Sequence, residues 1–249
     1  FITIFHAYKD NQDEIPIKFN AESIKERYEN EINIELNSNN SVLCWEPRHN
    51  RSVIDTLKDY ITMCDETNNP PHFIVLGHTG RKVDKVRNER GYFAPLSSNC
   101  DWVLRTIQLP AIIAKREIPL RREKKVWMMA VDGTIYSNRG LDILFHLVNP
   151  KDTLIVFHIC NDTESNEQIT KITSYYEDEL ATSGPVSSQF ILVEQERGID
   201  LGTSIVNYVN DTNPDLFALG PRARATLTLS PITEHVINNV NCSIIVCKN

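Results

Sequence analysis

The chain carries 6 cysteines in 249 residues and not one CxxC pair, which removes the zinc-ribbon and dithiol-redox patterns from consideration. Cys44, Cys160, Cys242 and Cys247 fall instead in apolar, strand-like runs, where a thiol behaves as a small buried hydrophobe and a reducing cytoplasm is the natural setting. No apolar run approaches the roughly 20 residues of a membrane span. The opening FITIFHAY alternates like a strand and lacks the charged-then-apolar pattern of a leader. Positive charge is short: 26 Lys and Arg against 33 Asp and Glu leave a net −7 and a pI near 5.5. That balance offers no attractive field to nucleic acid or an anionic membrane, and the one dense basic stretch, 116–125, is only linker length. There is no Walker loop, nucleophile elbow or paired-carboxylate arrangement, and the seven histidines show no metal-ligand spacing.

What is present is an ordinary globular composition, 41% hydrophobic and 24% charged, organised around VWMMAVDGTIYSNRG at 126–140. The run 126–131 is apolar and of strand length, as in a parallel sheet covered on both faces. Asp132 closes it, and Gly133 and Thr134 lead into a helix. Ligands of open α/β sheets bind outside the carboxyl ends of the strands, so this is where a small ligand is expected. Each of Asp132 and Thr134 taken alone also has a purely structural reading, as a helix cap.

Before this stretch the apolar periodicity predicts strands at 2–8, 41–46, 73–76 and 111–114, alternating with helices at 21–32, from 52, and from 98 with Ser97 or Ser98 as cap. The second half repeats the first. Val53, Leu57, Tyr60 and Ile61 have the spacing of Leu201, Ile205, Tyr208 and Val209; Phe5-His6 recurs as Phe157-His158; 73–77 recurs as 216–220; 101–104 recurs as 234–237, running without gaps into the last strand. Four blocks in one order indicate tandem duplication, with domains at 1–118 and 125–249. The opening strand and helix of the second copy have no counterpart in the first, so a strand from residues upstream, or from another segment, is expected to complete that copy. The last strand is an edge in each copy, short and apolar, and the two are expected to pair with each other, giving a pseudo-dimer within one chain.

VWMMAVDGTIYS, DTLIVFHIC, GIDLGTSIVNYVNDTNPDLFALG and NCSIIVCKN together resemble the universal stress protein family, and the first copy resembles it from its second strand onward, including Leu109-Pro110. The resemblance implies two α/β, flavodoxin-like (Rossmann-like) doubly wound parallel sheets of strand order 3-2-1-4-5. It also implies a cytoplasmic stress-response binding module, single or as a homodimer, whose ligand is an adenine nucleotide such as ATP or AMP, with magnesium accompanying it. Enzyme chemistry is not expected beyond a slow ATPase. Binders in that family resemble one another in having Gly-x-x-Gly after the fourth strand and, about nine residues on, Gly-Ser or Gly-Thr at the start of the last helix, where this chain has Ser97-Ser98 in the first copy and Ser230-Pro231 in the second. The candidate ligand-contacting residues are therefore Asp132, Gly133, Thr134, Gly220, Arg222 and Ser230 in the second copy, and Gly77, Gly80, Ser97 and Ser98 in the first.

The sequence departs from that pattern in both copies. Pro221 has no amide to donate and Ala223 puts a methyl group where open backbone is needed, so Arg222 and Arg224 would have to meet phosphate by side chain. The first copy keeps Gly77 and Gly80, but the loop that follows is about ten residues longer than its counterpart and carries five basic residues; it reads as a polar insertion or as a lid over phosphate. The alternative function is an interaction scaffold whose sites have decayed. The acidic runs 164–167 and 177–179 are expected to face solvent.

Overall fold

The computed structural model describes residues 2–8, 21–35, 41–47, 49, 51–67, 71–77, 96–115, 124–185, 187–220 and 229–248. Gly80, Arg222 and the basic loop 81–90 lie outside the described residues. The chain divides into two compact units, Phe1–Pro71 and His72–Asn249.

The first unit holds β1 (Ile2–Tyr8), α1 (Ala21–Glu35), β2 (Ser41–Pro47) and α2 (Val53–Glu66). β1 and β2 pair in parallel from Ile2↔Ser41 to Tyr8↔Pro47, and a parallel pair needs a crossover, which α1 supplies. α2 begins where Ser52 accepts a hydrogen bond from Asp55 N at 3.0 Å, the ordinary serine cap. Thr56, one turn on, is buried and donates back to Ser52 O.

The second unit runs β3 (Ile74–Gly77), α3 (Ser98–Thr106), β4 (Ala111–Ala114), β5 (Val126–Ala130), α4 (Ile135–Leu147), β6 (Thr153–Cys160), α5 (Asn166–Ser183), β7 (Ser187–Glu194), α6 (Leu201–Thr212), β8 (Leu216–Leu219), α7 (Pro231–Asn239) and β9 (Ser243–Val246). Its strands form one sheet in the order β3-β4-β9-β8-β5-β6-β7. The stretch β7-β6-β5-β8-β9 is the 3-2-1-4-5 order of a doubly wound sheet, with β5 central. Because side chains alternate between faces, successive residues of each strand feed opposite cores. Met128, Phe157, Phe217 and Ile244 join one core, under α3, α6 and α7. Met129, Val156, Ala218 and Ile245 join the other, under α4 and α5. Tyr176 stacks on Phe190 at 5.7 Å in the second core, and Phe157 meets Tyr208 edge-on at 4.8 Å in the first.

The strands of the first copy are shared between two sheets. Its second and third, β1 and β2, form their own pair, whereas its fourth and fifth, β3 and β4, extend the sheet of the second copy. The physical reason is the strand order: in a 3-2-1-4-5 sheet the first strand joins the 3-2 pair to the 4-5 pair, and no described strand takes that position. The expected meeting of the two last strands is present, with β4 and β9 antiparallel through Ala111↔Val246, Ile112↔Ile245 and Ile113↔Ile244. The core continues across this junction, for Leu104, Ala111 and Ile113 pack in the same cluster as Val236, Ile237 and Ile244.

The start of β5 is held by two buried carboxylates that the sequence did not single out. Asp152 accepts from Lys125 N at 2.9 Å, from Trp127 Nε1 at 2.8 Å and from Asn149 N at 3.2 Å. Asp215 accepts from Val126 N at 2.8 Å. Both residues are buried.

Candidate functional site

β5 delivers Asp132 to the carboxyl edge of the sheet, between β6 and β8, where the chain reverses its direction of winding. Asp132 and Gly133 are exposed and Thr134 is half-buried. Asp132 Oδ1 accepts three hydrogen bonds, from Thr134 N at 3.0 Å, Thr134 Oγ1 at 2.5 Å and Ser137 Oγ at 2.6 Å. Thr134 is the cap of α4, with φ −81° and ψ 159°, and its side chain accepts from Ser137 N. Gly133 turns the chain at φ +72°, a left-handed conformation that glycine adopts without strain. A Cβ there would lie 2.8 Å from Ile172 Cγ1 of α5. The structural reading as a helix cap holds for Thr134, whereas Asp132 braces the turn through the cap residue and the Ser137 hydroxyl, and Asp132 and Gly133 remain exposed.

Gly220 ends β8 against this turn. A Cβ on Gly220 would stand 2.5 Å from Tyr136 O and 3.0 Å from Ser137 Cα, so glycine is required for β8 to approach the backbone of α4. Thus Asp132, Gly133, Thr134 and Gly220 meet around one helical turn, with Ser137, which the sequence did not single out, joining them. Ser230 caps α7, accepting from Thr233 N at 3.1 Å, with Pro231 in the first turn. It serves the helix layer on the opposite face of the sheet from α4.

Two side chains fix the floor. Tyr176 of α5 is fully buried and donates from its hydroxyl to Asn138 Oδ1 at 2.7 Å; burial first, and then the charge of Asp132, hold its phenol above the ordinary tyrosine range. His158 is buried at the tip of β6. Its Nδ1 stands 2.8 Å from Val131 O, a pure acceptor, so Nδ1 carries the proton and donates. Its Nε2 is 2.8 Å from Glu164 Oε2. Glu164 is thus drawn inward, against the expectation that 164–167 would simply face solvent. The Cys160 thiol at the same strand tip is raised from its usual value, chiefly by burial.

In the first copy, Cys100 brings the candidates together. Its thiol donates to Gly77 O at 2.9 Å and its amide to Ser97 Oγ at 3.3 Å. Ser97 is the cap of α3, and Ser98 is the first residue of that helix and is exposed. Among the described residues, a Cβ on Gly77 would meet nothing within 4 Å. Among the described residues no group of three or more His, Cys, Asp or Glu is placed to hold a metal ion, and no described helix is long and apolar enough to cross a membrane.

Comparison with known proteins agrees with this architecture. The chain is similar to the crystal structure of a universal stress protein from Archaeoglobus fulgidus DSM 4304, at 15% identity and TM-score 0.60, over 99% of this chain and 85% of that one. It is similar to a functionally unknown protein from Pseudomonas aeruginosa PAO1 at 14% identity and TM-score 0.64, over 99% and 81%. At such identities the likeness is one of fold. No curated protein matches the chain at a significant level. The model of the Universal stress protein family matches residues 125–248, the copy built around β5 and the Asp132 turn. Through its second copy, residues 125–248, the chain belongs to the universal stress protein family.

Proposed function

We propose that the chain is a tandem stress-response binding module of the cytoplasm, with repeat domains at 1–118 and 125–249, that takes an adenine nucleotide at the carboxyl edge of the second copy. The observation that carries the reading is the Asp132–Thr134 turn. It is exposed, locked in place by Ser137 and Gly133, and set at the point where β5 and β8 diverge. A rigid polar turn spends little entropy on ordering when a ligand arrives. Asp132 and Thr134 would face the nucleoside end. Gly220, Arg222 and Ser230 would lie toward phosphate, as would Gly77, Gly80, Ser97 and Ser98 in the first copy. No chain residue is assigned to magnesium, which would enter with the phosphates.

A second reading, an interaction scaffold with decayed sites, is favoured by a specific observation. Asp132 Oδ1 is occupied by its own turn, and Gly220 is explained by packing on α4 without any ligand. Calorimetric titration of ATP and AMP, with and without magnesium, separates the two. The nucleotide reading expects a saturable heat and a thermal shift that Asp132→Asn weakens about tenfold, because the amide keeps the acceptor of the turn but not its charge. No heat and no shift at millimolar nucleotide would leave the scaffold. Steady phosphate release during the same titration would add slow hydrolysis to the binding role.

A further inference from the structure

β7 is an edge strand that carries none of the features by which edges are ordinarily blunted. It is 8 residues long, SSQFILVE, and its register with β6 runs unbroken from Thr153↔Ser187 to Cys160↔Glu194. Among the described residues no strand lies on its other side. It holds no proline, lysine or bulge, the usual devices against edge-to-edge pairing, and its one charge is Glu194 at the end. Leu192 is 42% exposed, on the same face as Phe190, which packs in the core under α5. The short last strands β4 and β9 are already taken up by each other, which leaves β7 as the long edge of this sheet.

The main chain fixes how a further strand would join. Gln195 N–H donates to Cys160 O at 2.9 Å, and in a parallel ladder alternate residues bond to the same neighbour. Residues 187, 189, 191, 193 and 195 therefore face β6, and the main-chain groups of Ser188, Phe190, Leu192 and Glu194 face outward. An incoming antiparallel strand must match outward groups with outward groups, and β7 itself does so over its whole length. On a twofold axis at Ile191, Ser188 stands opposite Glu194 of a second copy, Gln189 opposite Val193, Phe190 opposite Leu192, and Ile191 opposite the same residue. Phe190 then covers the exposed Leu192, and Glu194 meets a serine hydroxyl that donates to it instead of a like charge. An axis at Leu192 would set Glu194 against Phe190, and one at Phe190 would leave Glu194 with no strand residue opposite.

We propose that the outer edge of β7 is the docking surface for a second copy of the chain, joined antiparallel about a twofold axis at Ile191 so that one sheet runs through both molecules. The contact uses the same patch on each partner, so it closes at the dimer. The Asp132 turn follows β5, two strands in from this seam, and the inference stands independently of whether nucleotide binds there.

Sedimentation velocity on the 249-residue chain, from micromolar to submillimolar concentration, is expected to show a reversible equilibrium of monomer and dimer. Ser188→Glu opposes two carboxylates at each end of the seam and should weaken the dimer about tenfold, whereas Ser188→Lys should tighten it. Mild oxidation of Ile191→Cys should give a disulfide-linked dimer, because a non-hydrogen-bonded antiparallel pair brings its Cα atoms to about 4.5 Å. Gln189→Cys and the native chain should give none. A chain that stays monomeric throughout overturns the proposal, as does a dimer indifferent to the charge at position 188. Crosslinking of Gln189→Cys in place of Ile191→Cys, or association that continues past the dimer, overturns it as well.

Discussion

Lys248 and Lys115 exchange places across the β4–β9 junction. Lys248 follows β9 and donates from Nζ to Ile107 O at 2.8 Å and Val103 O at 3.0 Å, closing the carboxyl end of α3. Lys115 follows β4 and donates to Val240 O at 2.8 Å, closing the carboxyl end of α7. The two lysines occupy equivalent positions in the repeat, as do Ile107 and Val240. A cation at a helix carboxyl terminus satisfies orphan carbonyls and suits the helix dipole. Each copy therefore caps the last helix of the other.

These caps carry an alkaline signature. Burial draws both ammonium groups down to about 8 from an ordinary value of 10.5. Below pH 8 the folded and unfolded chains are both charged there, and the cost of burying the charge is fully present. Between about 8 and 10.5 the unfolded chain holds more protons, so the contribution of each lysine to stability rises with pH. The stability difference between the native chain and the Lys115→Met/Lys248→Met double variant should widen in favour of the native chain, on the order of 1–2 kcal/mol per lysine after solvent screening. Urea unfolding at pH 7 and pH 10 measures it.

Cys247 acts in the opposite sense. Burial pushes its thiol up to about 12 from an ordinary 9.0. Above pH 9 the unfolded chain releases this proton and the folded chain keeps it, so stability falls as pH rises. Relative to Cys247→Ala, the native chain should lose about 1.4 kcal/mol for each pH unit between 9 and 12. Thermal melts at pH 8.5 and 10.5 would register the change.

The matched glycines should respond unequally to one methyl group. Gly220→Ala forces a Cβ against Tyr136 O and should cost about 2–4 kcal/mol, since the opposing atom is backbone and cannot swing away. Gly77→Ala meets no atom among the described residues and should stay within about 0.5 kcal/mol of the parent. Paired denaturant titrations decide it, and equal effects would contradict the described packing.

Asp152→Ala removes the acceptor for Lys125 N, Trp127 Nε1 and Asn149 N together. Leaving buried donors unsatisfied should cost about 3–5 kcal/mol. The indole loses its partner, so the fluorescence of Trp127 should shift to report the change before global unfolding.

The fold was legible because its signals are local. The run 126–131 announced a central strand, the small residues at 132–134 a helix start, and matched blocks such as 73–77 and 216–220 the duplication. The antiparallel meeting of β4 and β9 followed from their being short apolar edges. What escaped depends on three-dimensional closure. Asp152 and Asp215 look like ordinary loop acids until β5 brings amides to them. Glu164 sits in an acidic run and is claimed by His158 only after β6 ends beside it. Lys115 and Lys248 gain their roles from helices more than a hundred residues away in sequence. At the candidate site the turn Asp132–Thr134 was visible, but Ser137 and Tyr176 were not, because their spacing from Asp132 carries meaning only once α4 and α5 stack.

The seam between β4 and β9 bears on heredity as well as on architecture. Because it consists of main-chain ladder and shared core, gene fission there would strip each descendant protein of a sheet neighbour and leave a sticky border.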